Sequence, residues 1–100
     1  MVTTYNFEWD DEKAVSNRKK HGVGFEEAAK IFRDPNAITI LDPDHFEDED
    51  RWVTMGISET GRLLVVCHTF LEKIEDSVLI RIFSSRKASK KEITIYGERS

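Results

Sequence analysis

The side chains able to do chemistry in this sequence are mostly cationic: Lys20, His21, Arg51, His68, Arg81 and Arg86, with Ser85 and Tyr96 as added hydrogen-bonding groups. Arg, Lys and His gathered without a carboxylate dyad suit phosphodiester chemistry. Cations hold the scissile phosphate and stabilise its developing charge, while a His, Lys or Tyr moves the protons. Arg81 is the sharpest case, because it interrupts the apolar run Leu79-Ile80-Arg81-Ile82-Phe83. A charge buried there costs desolvation unless it is paired or faces a site. Its partner is either a carboxylate of the protein or an anion bound at a site. His68 likewise has two readings, a hydrogen-bonded sheet histidine or a catalytic group. Lys87, Lys90 and Lys91 extend Arg86 into a basic run, either a solvated helix face or a surface for a polyanion.

Other chemistries find little support. There is no GxGxxG, GxxxxGK[ST], HExxH or GxSxG pattern. Asp42-Pro43-Asp44-His45 begins like a calcium loop, but Pro43 and the missing glycine at the sixth position defeat it. The histidines at 21, 45 and 68 lack ligand spacing, so no metal site is assigned. Cys67 and His68 are neighbours on one strand and point to opposite faces, which disfavours a Cys–His nucleophile pair.

The charge is unevenly spread. The net charge of the 100 residues is −4, yet six acids crowd into positions 42–50 without a Lys or Arg. Arg81, Arg86, Lys87, Lys90 and Lys91 give the opposite extreme, five cations in a stretch with no acid. Such a basic stretch holds polyanions, while the acidic one repels them or attracts a basic partner. The length fits one domain over 1–100 with a core that needs no staples. Six Phe, two Trp and two Tyr argue against disorder. No apolar run approaches the roughly 20 residues that span a bilayer. Acids at Glu8, Asp10, Asp11 and Glu12 exclude a signal peptide, and the single Cys67 favours a reducing compartment, so the expected location is the cytoplasm.

These residues need elements to position them. Tyr5–Trp9 alternates as a short strand, Asp10 fits an N-cap, and a helix is predicted over Asp11–His21 with Ala14 and Val15 facing the core. Gly22 stops it in the left-handed region. Phe25, Ala28, Ala29 and Phe32 form an apolar helical stripe behind Gly24 as N-cap, ended by Asp34-Pro35. Ala37–Leu41, Arg51–Ser58, Arg62–Leu71 and Val78–Ser84 read as strands, with Glu72–Asp76 a charged connection, and Ala88–Gly97 as a short helix. If Glu59-Thr60-Gly61 is a whole hairpin loop, opposed positions sum to 120 and Trp52 faces His68. Whether His68 and Arg81 share a sheet face is left open. The order β-α-α-β-β-β-β-α predicts an α+β fold, two N-terminal helices packed on a small antiparallel sheet with a short C-terminal helix.

Phe7-Glu8-Trp9-Asp10, Lys13, Asn17, Lys20-His21-Gly22-Val23 and Phe25-Glu26-Glu27-Ala28 resemble the opening of the BrnT family of type II toxins. Asp34-Pro35, Asp42-Pro43-Asp44-His45, Arg51-Trp52, the run Gly61 to Val66, His68-Thr69, Arg81-Ile82 and Ser85-Arg86-Lys87-Ala88 continue the likeness in order. Phe83-Ser84-Ser85-Arg86 departs from the more typical Ile-Ile-Ser-Ala-Arg. The resemblance implies a RelE-like ribonuclease fold and RNA cleavage that needs no metal or other cofactor and halts translation. It also implies a BrnA-type ribbon–helix–helix antitoxin as partner, expected in a 2:2 complex that reaches operator DNA only through the antitoxin. Carried over by position, Lys20, His21, Arg51, His68, Arg81 and Arg86 become the catalytic candidates. Ser85, Lys87, Lys90, Lys91 and Tyr96 become the RNA-binding ones. Two alternatives stand beside this reading: a non-catalytic module that only binds its antitoxin and co-represses, and a metal-dependent nuclease using the acids of 42–50.

Overall fold

In the computed structural model, which describes residues 4–42 and 51–99, β1 (Thr4–Glu8) runs directly into α1 (Asp11–His21). The Asp10 carboxylate starts the helix by accepting from the backbone of Glu12 at 2.8 Å and Lys13 at 3.2 Å. Gly22, at φ 71°, ends it and donates its N–H to the Arg18 carbonyl at 2.8 Å. Ala14 packs on the core as expected, but Val15 is exposed, and the buried residue of this helix is Asn17. The second helix is shorter than its stripe suggested. α2 (Phe25–Ala29) tightens into a 3-10 turn over Lys30–Arg33, with Phe25, Ala28 and Ile31 fully buried. Asp34 closes it, accepting from the backbone N–H of Asn36 and of Ile57.

The remaining elements are β2 (Ile38–Leu41), β3 (Arg51–Ile57), β4 (Leu63–Ile74), β5 (Ser77–Lys87) and α3 (Lys90–Arg99). They form one five-stranded sheet in the order β1-β5-β4-β3-β2. The β3–β4 register holds opposed positions at a sum of 120, with Trp52 facing His68. Two expectations need correction. The sheet is mixed, because β1 pairs in parallel with β5 while every other pair is antiparallel. The charged stretch at 72–76 is not a loop either. β4 continues to Ile74 and β5 starts at Ser77, leaving a two-residue turn with Glu75 at φ 52°.

One face of the sheet carries the helices. Leu64 and Val66 of β4 and Val78, Ile80 and Ile82 of β5 bury against Val23, Phe25, Ala28 and Ile31. A Cβ on Gly56 would meet the Ile31 carbonyl oxygen at 3.0 Å, so only glycine lets the 3-10 turn lie this close to β3. Asn17 pins α1 to β5. Its Nδ2 lies 2.9 Å from both the carbonyl and the hydroxyl oxygen of Ser85 and 3.1 Å from the Val23 carbonyl, and its Oδ1 accepts from Ser85 N.

Candidate nucleic-acid interface

The sheet face turned away from the helices buries Met55 and Val65 and carries a polar row. Directly opposed residues share a face, and the register sets Glu8 beside Arg81, Arg81 beside Thr69, and Thr69 beside Arg51. Arg81 is not buried within its apolar run: β5 is second from the sheet edge, and the Arg81 side chain is 34% exposed. Arg81 Nη1 donates to Glu8 Oε2 at 2.5 Å, and that carboxylate is 40% exposed. An exposed pair of this kind contributes about 0–1 kcal/mol, so a competing anion can take the guanidinium from it.

Thr69, between the two arginines, is 3% exposed, and its Oγ1 is buried without a hydrogen-bond partner. Arg51 reaches from β3 across β4 to β5, where its guanidinium stacks over the Phe83 ring at 4.4 Å from the centroid. Lys13 of α1 lies over the same ring at 5.5 Å. Phe83 owes this position to a bulge. Cys67 pairs with Ser84 and His68 with Ile82, so Phe83 is the extra residue on β5. Because Ile82 and Ser85 both face the helices, Phe83 and Ser84 are left on the open side.

His68 lies on the opposite face from Arg81, which settles the open parity. It is 0% exposed, its Nε2 is 2.7 Å from the Thr54 hydroxyl, and its Nδ1 has no partner. Phe32 and Phe70 meet the ring edge-on at 4.9 and 5.0 Å. Burial lowers its pKa to about 4, so the neutral imidazole is the resident form at neutral pH. This geometry belongs to a core histidine.

The other candidates divide as well. Lys20 is exposed and His21 half-buried at the end of α1. Lys20 shares one helical stripe with Lys13 and Asn17, the stripe that runs along β5. Ser85 is 1% exposed and engaged with Asn17, which assigns its hydroxyl to the fold rather than to a ligand. Arg86 Nη1 and Nη2 pair with Glu92 at 2.8 and 2.9 Å. Glu92 also forms a reciprocal capping box with Ser89 at the start of α3, and the Arg86 hydrogen bond is the main force holding its pKa down at about 2. Lys87, Lys90 and Lys91 are exposed. The Tyr96 hydroxyl donates to Asp34 Oδ2, tying α3 to the body, and burial followed by that carboxylate raises its pKa to about 12.

Lys13, Thr69 and Phe83 were not singled out from sequence as site residues, nor was Glu8 as the partner of Arg81. The hairpin sum of 120 already set Thr69 opposite Arg51, a signal left unused. The bulge at Phe83 and the β1–β5 pairing have no such signal. Among the described residues no group of three or more His, Cys, Asp or Glu can hold a metal ion, and the acids at 43–50 lie outside those residues. No described helix is long and apolar enough to cross a membrane.

Comparison with known proteins agrees with the sequence resemblance. A family model described as the ribonuclease toxin BrnT of type II toxin–antitoxin systems matches residues 9–92. The 1.1 Å crystal structure of the Brucella abortus ribonuclease toxin BrnT superposes with a TM-score of 0.60 at 20% identity, covering 88% of this chain and 100% of that one. No curated protein sequence matches. The family match spans most of the chain, and the protein therefore belongs to the BrnT family of ribonuclease toxins of type II toxin–antitoxin systems.

Proposed function

We propose that this chain is a cytoplasmic, single-domain, RelE-like endoribonuclease toxin that cleaves RNA without a metal and inhibits translation. The observation that carries this reading is the row Arg81–Thr69–Arg51 on the uncovered sheet face. It sets two guanidiniums on either side of Thr69, facing one phosphate. In the proposed mechanism the ribose 2′-hydroxyl gives up its proton and attacks the adjacent phosphate, forming a 2′,3′-cyclic phosphate. The bond from phosphorus to the 5′-oxygen breaks, and that oxygen leaves with a proton. The arginines neutralise charge as it develops on the phosphate oxygens. Lys20 and His21, at the accessible end of α1, are the groups placed to move protons, since His68 is enclosed. Lys87, Lys90 and Lys91 extend the electrostatic surface along the RNA.

A BrnA-type ribbon–helix–helix antitoxin would neutralise the toxin by covering these cations in a 2:2 complex, which reaches operator DNA through the antitoxin alone. Expression of the chain by itself is expected to arrest bacterial growth, and purified protein is expected to cleave single-stranded RNA in excess EDTA. Normal growth with folded protein present, together with intact RNA in vitro, would overturn the reading. Cleavage abolished by EDTA and restored by a divalent ion would overturn its metal-free part. The enclosure of His68 favours one second reading, a non-catalytic module that binds only its antitoxin. Complex formation without any RNA cleavage would select it.

A further inference from the structure

Phe83 is an aromatic ring placed by an extra residue on the open face of the sheet, and what approaches it is charged. Arg51 comes from β3 on one side of β5 and Lys13 from α1 on the other, at 4.4 and 5.5 Å from the ring centroid. A ring filling an apolar gap would be met by aliphatic side chains. Here it is flanked by two cations whose stems start on different elements. The attraction of each cation for the ring biases the rotamer of its long side chain.

We infer that Lys13, Phe83 and Arg51 form an RNA-backbone subsite beside the Arg81–Thr69–Arg51 row, with Phe83 as a positioning residue and Lys13 as a phosphate-binding one. This deepens the ribonuclease reading and rests on it. The ring holds the two cations apart and upright on the sheet, so that they meet neighbouring phosphates of one strand. Arg51 joins the two parts of the site, since it stands in the row and stacks on the ring. The subsite draws on α1, β5 and β3. Lys13 shares the helical stripe of Asn17, which is fixed to Ser85, so its backbone is held against β5.

The experiment uses the full chain and a fluorescent single-stranded RNA oligonucleotide, with anisotropy read across a salt series and cleavage rates at saturating and subsaturating protein. Lys13→Gln, at an exposed position that threatens no fold, is expected to weaken binding and flatten the slope of log K against log salt by about 0.7, the loss of one phosphate contact. Phe83→Leu is expected to weaken binding about five- to tenfold with the thermal midpoint little changed. Phe83→Tyr, which keeps the ring, should restore binding. Unchanged affinity and slope in Lys13→Gln, or a Phe83→Leu variant that binds like wild type, overturns this inference and leaves the ribonuclease reading standing. Wild-type protein that neither binds nor cleaves the RNA overturns both. Loss of affinity in Phe83→Tyr equal to that in Phe83→Leu overturns the positioning role of the ring.

Discussion

Thr69 and His68 are neighbours on β4, yet they belong to different worlds. His68 faces the helices, with Trp52 and Ile82 as its cross-strand partners, inside a shell of Phe32, Phe70 and Thr54. Thr69 faces away from the helices, between Arg51 and Arg81. The covered face is apolar and pairs its polar groups with one another, His68 Nδ1 excepted. The uncovered one keeps guanidiniums within reach of solvent and a hydroxyl without a partner. Residue type alone would choose His68 as the reactive group. Strand parity turns His68 into the core and sets Thr69, one residue further on, between the two arginines, and parity is decided by packing rather than by chemistry.

The largest effect that separates the two faces is on cleavage. Removing both guanidiniums, Arg51→Ala with Arg81→Ala, is expected to lower the RNA cleavage rate by about 10³ or more, and Arg81→Ala alone by about 10². Stability should barely respond to Arg81→Ala, within about 1 kcal/mol, because the Glu8 pair is exposed at both ends. A urea melt and a cleavage assay on the same protein decide it. Strong unfolding with proportionate loss of activity would move Arg81 into the scaffold.

The covered face is expected to answer to acid instead. His68 has a pKa of about 4 when folded and an ordinary value of 6.5 when unfolded, so the unfolded chain binds the proton first. Stability is therefore full above pH 6.5 and lost as pH falls toward 4, by up to about 3 kcal/mol. His68→Phe should flatten that window in urea melts at pH 7, 5 and 4. Thr54 keeps a partner in the variant, because its hydroxyl is 2.8 Å from that of Thr39. Glu27 and Glu92 act at lower pH. Arg62 holds the first and Arg86 the second at about 2, so their contributions are present above the ordinary 4.5 and fade below it. A loss between pH 6.5 and 4 that survives His68→Phe would assign it elsewhere.

The same contrast marks what the sequence could reveal. Elements resting on local chemistry were readable: the Asp10 cap, the Gly22 stop, the buried stripe of Phe25 and Ala28, and the hairpin register that opposes Trp52 and His68. The open face was readable only in composition. Arg51 and Arg81 stood out as cations, but their common row depends on the β4–β5 register, which carries shifts at Cys67/His68 and Phe70/Glu72. A bulge adds one residue without marking it in the chain, and it moved Phe83 to the open side. Glu8 meets Arg81 only because the first strand pairs in parallel with the last, a contact between distant segments that no hairpin announces. The internal partners of Arg86 and Tyr96 went unread for another reason. Their partners, Glu92 and Asp34, belong to a helix cap and a turn whose geometry fixes the long side chains.

Smaller effects test whether the seam between α1 and β5 belongs to the scaffold. Asn17→Ala strips partners from the backbone of Ser85 and of Val23 inside a buried seam, at an expected cost of about 2 kcal/mol. Lys13 and Lys20 ride on the same helix, so RNA affinity should fall with stability in that variant. Ser85→Ala is the finer probe, because it deletes only the hydroxyl while both backbone groups keep their bonds to Asn17. One buried hydrogen bond is worth about 1 kcal/mol, and the Asn17 amide keeps the Val23 and Ser85 carbonyls as acceptors. The expected result is a loss of about 1 kcal/mol in the urea melt with unchanged RNA affinity and cleavage per folded molecule. If the hydroxyl instead serves the RNA, affinity falls while the melt stays put. That outcome would require the Ser85 side chain to leave the helix-covered face and turn toward the row of Arg51 and Arg81.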